Sequence, residues 1–441
     1  MMANIKGIAD NYLCSACGAC TVVCPQDAIS FDWTSVGRKY AVVNEKLCTR
    51  CGLCMKVCPS VDVLNLYERY EDHFVGKILD TYTGISANND IFRNAQSGGL
   101  CTATVSYLFE SGAIDAAVMC QMSAGLVPLV QAILITDPKQ LAECQKSCYS
   151  PVDVLSALKL ADGKRSVAIV GLPCHIEAAT LMSEQFKSFS NITYKLGLIC
   201  DRTHCRGMQD VLSSLGGKAK KRYLNWRKKD FTFNGQYYDY KSSPIVILDE
   251  KGEICKNGIL SNESRFALKD MFTAPRCRVC YDKLNIHSDL VFGDPWGMTD
   301  IDWQQGESLM LARTGKGRAL IEEMISHRKV LLRKRDNYEE VITGQHIDEK
   351  RKYNESYVRD FNRFFDSSLS YLSKFRTTSS LEATHMVEFR QFVELERKSY
   401  NTVCKIALSR LGRQCSSSNL LPRILRKVRE LIKMAYNKIL R

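Results

Sequence analysis

The chain has 441 residues, 20 cysteines and a formal net charge of +13. Its length exceeds one ordinary domain, and 45% hydrophobic with 25% charged residues excludes a disordered or fibrous chain. Its apolar runs, such as residues 167–172, are too short to span a bilayer, and the opening MMANIKGIADNYLC lacks a secretory apolar stretch, so a cytoplasmic protein is expected, one whose cysteines serve metal or redox chemistry rather than disulfides.

The first sixty residues hold two C-x2-C-x2-C-x3-C-P runs, one at Cys14, Cys17, Cys20 and Cys24, the other at Cys48, Cys51, Cys54 and Cys58. This is the spacing that holds 4Fe–4S clusters in two-cluster bacterial ferredoxins. Three thiolates on one tight loop take three corners of a cube, and a cysteine from the other loop takes the fourth. The expected ligand sets are therefore Cys14, Cys17, Cys20 with Cys58, and Cys48, Cys51, Cys54 with Cys24. Gly18 and Gly52 let each loop turn and present amides to sulfur. Zinc sites pair C-x2-C motifs rather than running four cysteines together. The intervening ISFDWTSVGRKYAVVN reads as a hairpin about Ser35–Gly37, completing an α+β ferredoxin module that ends near Tyr70.

Gln96-Ser97-Gly98-Gly99 precedes a predicted helix ending at Gly112, with Ser97 as its expected N-cap. The helix N-terminus offers a phosphate site, but a plain capped turn is the favoured reading. Strands follow at IDAAVMC and QAILIT, helices at DPKQLAECQ and PVDVLSALKLADGK, and a strand at SVAIVG. Gly171-Leu172-Pro173-Cys174-His175 then turns into another helix, and ITYKLGLIC is a strand ending at Cys200. No G-x-G-x-x-G follows any strand, which argues against a standard dinucleotide fold. Residues 222–255 read as antiparallel strands. Cys277 and Cys280 form a lone C-x2-C pair, compatible with half a metal site, a redox pair or two core cysteines. Cys174 and Cys200 both end strands, where open α/β sheets place ligands, so the four thiols are candidates for a third 4Fe–4S site; scattered buried cysteines are the alternative.

The order of these motifs resembles the coenzyme F420 hydrogenase/dehydrogenase beta-subunit family. The resemblance is carried by QSGGL at 96–100, Tyr149-Ser150, GLPCH at 171–175, the strand ending in Cys200, NWRKKDF at 225–231, RCRVCYD at 276–282, Gly293-Asp294 and ARTGKG at 312–317. It covers roughly residues 80–340. It implies FAD bound without a Rossmann motif, with Ser97, Gly98 and Gly99 at the flavin, and a third cluster on Cys174, Cys200, Cys277 and Cys280, Cys205 being the reserve ligand. Lys228, Arg227 and Arg313 become candidate phosphate or carboxylate contacts, each equally readable as a surface charge. His175 is a candidate to orient substrate or flavin, or else a structural histidine. The sequence departs from the family at His175, at DRTHC after Cys200 and at Cys148.

The expected architecture is α+β: a two-cluster ferredoxin domain (1–70), a mixed α/β flavin domain in two parts (80–220 and 221–345), and a helical C-terminal region with a tail (346–441). From Arg397 to Arg441 there are 12 Lys/Arg against one acid, Glu430. Apolar residues recur at helical spacing from Leu421 to Leu440, so a basic amphipathic helix is expected. It would dock on protein or lie on an anionic membrane surface; nucleic acid is not expected. The expected function is an iron–sulfur, FAD-dependent oxidoreductase exchanging electrons with a redox partner protein, a deazaflavin or another hydride carrier. The alternatives are a flavin-free electron-transfer protein and, from the tail alone, a flavoprotein of surface-polymer biosynthesis.

Overall fold

A computed structural model describes residues 4–61, 69–125, 128–217, 221–365 and 385–414. The expected amphipathic helix of the tail lies outside the described residues. Among the described residues no helix is long and apolar enough to cross a membrane.

The N-terminal module is the expected hairpin, β1 (Ile29–Trp33) against β2 (Lys39–Val43). Two one-turn helices, Ala19–Val22 and Leu53–Lys56, flank it. Each starts after a left-handed glycine, Gly18 at φ 99° and Gly52 at φ 76°, which other residues rarely adopt.

The body is one eight-stranded sheet. Its strands are β3 (Asp80–Ser86), β4 (Ala116–Ser123), β5 (Leu129–Ile135), β6 (Val167–Gly171) and β7 (Ile192–Leu198). A satellite group follows: β8 (Tyr223–Asn225), β9 (Phe231–Phe233), β10 (Gln236–Tyr238), β11 (Ile245–Leu248) and β12 (Ile254–Leu260). The main sheet then resumes with β13 (Leu290–Gly293), β14 (Ser308–Ala312) and β15 (Val330–Arg335), giving the order β15-β3-β14-β13-β7-β6-β4-β5. The central β13, β7, β6 and β4 run parallel, and the flanking pairs are antiparallel. All five residues of β6 are buried, as strands covered on both faces must be.

The antiparallel strands expected at 222–255 form two groups, β8 joining β11 and β12 while β9 and β10 make a separate hairpin; left-handed Asp230 (φ 54°) separates β8 from β9. One local expectation is corrected. The helix expected at 151–164 is a short 3-10 helix, Val154–Leu160. The amide of Leu155 donates to the Cys17 carbonyl at 2.9 Å, so this segment grips the ferredoxin loop. Ion pairs Lys39–Asp153 and Lys159–Asp27 strengthen that seam. The described helices of the C-terminal region, Ile347–Phe365, Met386–Glu396 and Tyr400–Gln414, pack on the body. Phe361 and Phe389 are fully buried, and Glu396 pairs with buried Arg38 at 2.7 Å.

Candidate functional site

The thiols of the two ferredoxin runs lie together. Burial, then Cys17, Cys14, Cys58 and Cys54, raise the Cys20 thiol well above its usual range. Burial likewise raises Cys58, with Cys17 and Cys14 adding to it. In the other set Cys54 is raised by burial and then, against a contact from the Ile5 amide, by Cys51, Cys48 and Cys24. Amides reach sulfur, Ala16 N at 3.4 Å from Cys14 Sγ and Ala28 N at 3.3 Å from Cys24 Sγ. The second set lies outermost: Cys51 is exposed, in a recess that Pro25 and Arg50 also line. Among the described residues no three His, Cys, Asp or Glu converge to chelate one metal ion.

The four later cysteines also come together, at the C-terminal ends of the parallel strands. Cys174 opens helix Pro173–Gln185 after β6, and Cys200 follows β7. Cys277 lies on the one-turn helix Pro275–Arg278. The loop after Cys280 is stitched across the sheet edge. Asn285 Nδ2 donates to the carbonyls of Gly171 (2.9 Å) and Leu198 (3.1 Å), and the Cys200 amide donates to Lys283 O (2.9 Å). Burial raises the Cys174 thiol, and Cys17, Cys200 and Cys280 add to it. Burial, then Cys277 and Cys280, raise Cys200. Burial alone dominates at Cys280, pushed up to about 11. Such thiols ionise readily only with a cation in place, as cluster iron would be. Cys174 therefore stands between its own quartet and Cys17 of the first ferredoxin set. Beside Cys280, burial raises the carboxyls of Glu177 and Asp282. Cys205 is buried near Glu396 and Arg38.

A second junction unites four of the short motifs. Gln96 Nε2 donates to Asn225 Oδ1 (3.0 Å), and Gln96 Oε1 accepts from the Ser147 amide (2.9 Å). Trp226 Nε1 donates to Cys148 O (3.1 Å), and Arg227 pairs with Asp294 just beyond β13. Lys146 and Tyr149 are held left-handed at φ 89° and 39°, a strain of about 1–3 kcal/mol each that clusters at functional sites. Burial lowers the Lys146 pKa and Lys228 adds to the effect. Among the described residues neither ammonium has an acidic partner. Lys146 was not singled out by sequence, because nothing in its spacing brings it to Lys228. Lys229, also unselected, is buried and donates to Ser97 O (2.6 Å) and Gln305 O (2.7 Å) above the Phe92 ring. Gln305 and Phe92 also line a cavity of about 560 Å³ against β3 and β15, within the range of small-molecule sites.

Three expected roles change. Ser97 is not the N-cap: Gly99 is, at φ 79°, while Ser97 Oγ meets Ser308 Oγ at 2.9 Å. Arg313 is not available to phosphate. Its guanidinium is buried and donates to Val75 O, Lys77 O and Leu284 O at 2.7–3.0 Å, and burial draws its pKa down to about 10. His175 closes its own helix start. Its Nδ1 accepts from the Leu172 amide at 3.1 Å, and burial lowers its pKa to about 4, leaving it neutral.

Residues 81–159 match the N-terminal part of the coenzyme F420 hydrogenase/dehydrogenase beta-subunit family, and residues 164–337 match the C-terminal part of the same family. The chain belongs to this family. Residues 13–61 match a 4Fe-4S dicluster domain, so this member of the coenzyme F420 hydrogenase/dehydrogenase beta-subunit family carries an iron–sulfur module before the family body. It is 25% identical over 316 residues to a coenzyme F420-dependent sulfite reductase of Methanocaldococcus jannaschii, covering 58% of this chain and 47% of that protein. The chain thus spans about half the length of that relative. It is 24% identical over 320 residues to one of the subunits of the F(420)H(2) dehydrogenase of Methanosarcina mazei, covering 70% of this chain and 84% of that relative. A chain of the F420-reducing NiFe hydrogenase complex of Methanosarcina barkeri shares the fold at TM-score 0.51 and 18% identity, covering 67% of this chain and 96% of that one.

Proposed function

We propose that the protein is an iron–sulfur flavoprotein that relays electrons between a hydride-carrying coenzyme or substrate and a one-electron partner protein. The observation that carries this reading is the serial arrangement of thiols. Cys174 has both Cys17 of the first ferredoxin set and Cys200 and Cys280 of its own quartet as charged neighbours, and the second ferredoxin set reaches the surface at exposed Cys51. On this reading Cys14, Cys17, Cys20 and Cys58 hold one 4Fe–4S cluster. Cys24, Cys48, Cys51 and Cys54 hold a second, and Cys174, Cys200, Cys277 and Cys280 a third. FAD, when bound, supplies the exchange between two-electron and one-electron chemistry. The junction around Gln96, Asn225 and Trp226 is its site. Lys146 and Lys228 take its phosphates, and Lys229 fixes the Ser97 turn beneath it. The relatives named for coenzyme F420 make a deazaflavin the first hydride carrier to test.

Anaerobic iron, sulfide and flavin analysis of one purified sample decides the reading. About twelve irons and one FAD per chain are expected; about eight irons without flavin leave a flavin-free electron carrier. Replacing Lys146 and Lys228 together by Gln is expected to weaken FAD binding at least about tenfold, because each charged hydrogen bond contributes about 1.5–3 kcal/mol. Fluorescence titration of the deflavinated protein measures it. Unchanged affinity would remove these lysines from the site.

A further inference from the structure

One buried cation lies between the first ferredoxin quartet and the Cys174 quartet. Arg276 is 3% exposed. Its Nε donates to Ser60 Oγ at 3.1 Å, and Ser60 Oγ in turn donates to Leu13 O at 2.7 Å. Ser60 stands two residues past Cys58 and Leu13 just before Cys14, so the guanidinium is anchored to both ends of the first quartet. Its own chain position, next to Cys277, anchors it to the other. It thus lies within electrostatic reach of Cys14 and Cys58 of the first quartet and of Cys174 and Cys280 of the other. The neighbouring cations are one-sided: Arg38 acts on Cys14, and Lys350 on Cys200 and Cys280.

We propose that Arg276 is an electrostatic bridge that raises the reduction potentials of both flanking clusters and lets them hold electrons at the same time. The inference rests on the reading that the Cys174 quartet binds a cluster. A cube on four thiolates gains one negative charge per electron, from about −2 to about −3, and no bond forms or breaks. Two such anions side by side in a dry interior repel, because charge interactions there are far stronger than in water. A fixed cation between them stabilises both reduced forms. Arginine suits the place because its guanidinium keeps its proton where a lysine sheds it on burial. Arg276 is thus a positioning residue acting through the field, not a ligand.

The test is a dithionite redox titration of the full-length holoprotein, followed by electron paramagnetic resonance, with iron counted on the same sample. Arg276→Gln is expected to lower the reduction constant of both flanking clusters about tenfold each, about 59 mV for a one-electron couple. The outer cluster of Cys48, Cys51, Cys54 and Cys24 stays within threefold as the internal control. Arg276→Lys, tested at a pH where its ammonium is charged, recovers most of the shift. Arg276→Met repeats the measurement if the Gln protein does not load its clusters. A wild type with only two clusters overturns the reading on which the inference rests. A three-cluster wild type whose flanking potentials do not move in the Gln or Met protein overturns the Arg276 assignment alone. So do equal losses in the Lys and Gln proteins, which would make its role one of packing.

Discussion

Replacing Cys277 by Ala is expected to remove about a third of the iron, from about twelve to about eight atoms per chain, with both ferredoxin clusters retained. The quartet it belongs to is assembled by the sheet edge rather than by one loop, and each thiol comes from a different support. Cys174 starts a helix of thirteen residues after β6, and Cys200 is held through its amide by Lys283 O. Cys277 sits on a four-residue helix begun by Pro275, while Asn285 ties the following loop to the ends of β6 and β7. Losing one ligand therefore leaves three thiols that burial favours as neutral, without the fourth corner a cube needs. The ferredoxin loops are closed on themselves and should not notice. If the proposed flavin relay holds, flavin reduction by a hydride donor should survive while electron delivery to the ferredoxin clusters slows by orders of magnitude, which rapid mixing would resolve. Unchanged iron in the Cys277→Ala protein would refute the third cluster. Cys205→Ala tests the alternative in which Cys205, which neighbours Cys277 as well as Arg38 and Glu396, is a ligand; its iron content should equal that of the wild type.

Legibility from sequence followed the range of the interaction. The ferredoxin loops were readable because cube geometry fixes their spacing within eleven residues, and residues 13–61 do match a 4Fe-4S dicluster domain. Strands β4 and β6 were readable as apolar runs, since they are covered on both faces, and β7 was also expected from its pattern. Strands β3, β13, β14 and β15 were missed. DTYTGIS and VLLRKR carry polar residues through the sheet and neither alternate cleanly nor run apolar. The residues that assemble the site were the least visible. Asn285 and Lys283 are ordinary loop residues until they meet strands almost a hundred positions away. Lys228 and Lys229 are adjacent, and only the fold turns one inward to Ser97 and Gln305 and leaves the other beside Lys146. Arg313 failed for a related reason. In ARTGKG, Thr314 caps the helix Gly315–Ser326 through the Gly317 amide, and the arginine is drawn back under the sheet to bind carbonyls.

Gly98→Ala is expected to destabilise the protein by about 3 kcal/mol or more whether or not flavin is bound, in line with overpacking of a rigid interior. A glycine pair before a helix suggests room for a ligand, yet the two glycines do different things. A Cβ on Gly98 would stand 2.2 Å from Gly84 O and 2.6 Å from Ser308 N, both backbone atoms of central sheet strands that cannot swing aside. Its carbonyl accepts from the Ser86 amide at 2.8 Å and its amide donates to Ser308 Oγ at 2.9 Å. The turn is thereby clamped to β3 and β14. Gly99 instead meets only side-chain atoms and the Ile91 carbonyl at 3.1–3.3 Å, and its demand is conformational, φ 79°. Alanine there should cost about 1–2 kcal/mol, the ordinary penalty of a left-handed residue. Chemical denaturation of both variants, each with and without flavin, separates the roles. If Gly98→Ala proves as stable as wild type but binds no flavin, the residue makes room for the ligand and the packing account fails. If both variants lose stability in the expected order and retain any flavin affinity, the QSGG turn is a structural clamp rather than a ligand contact.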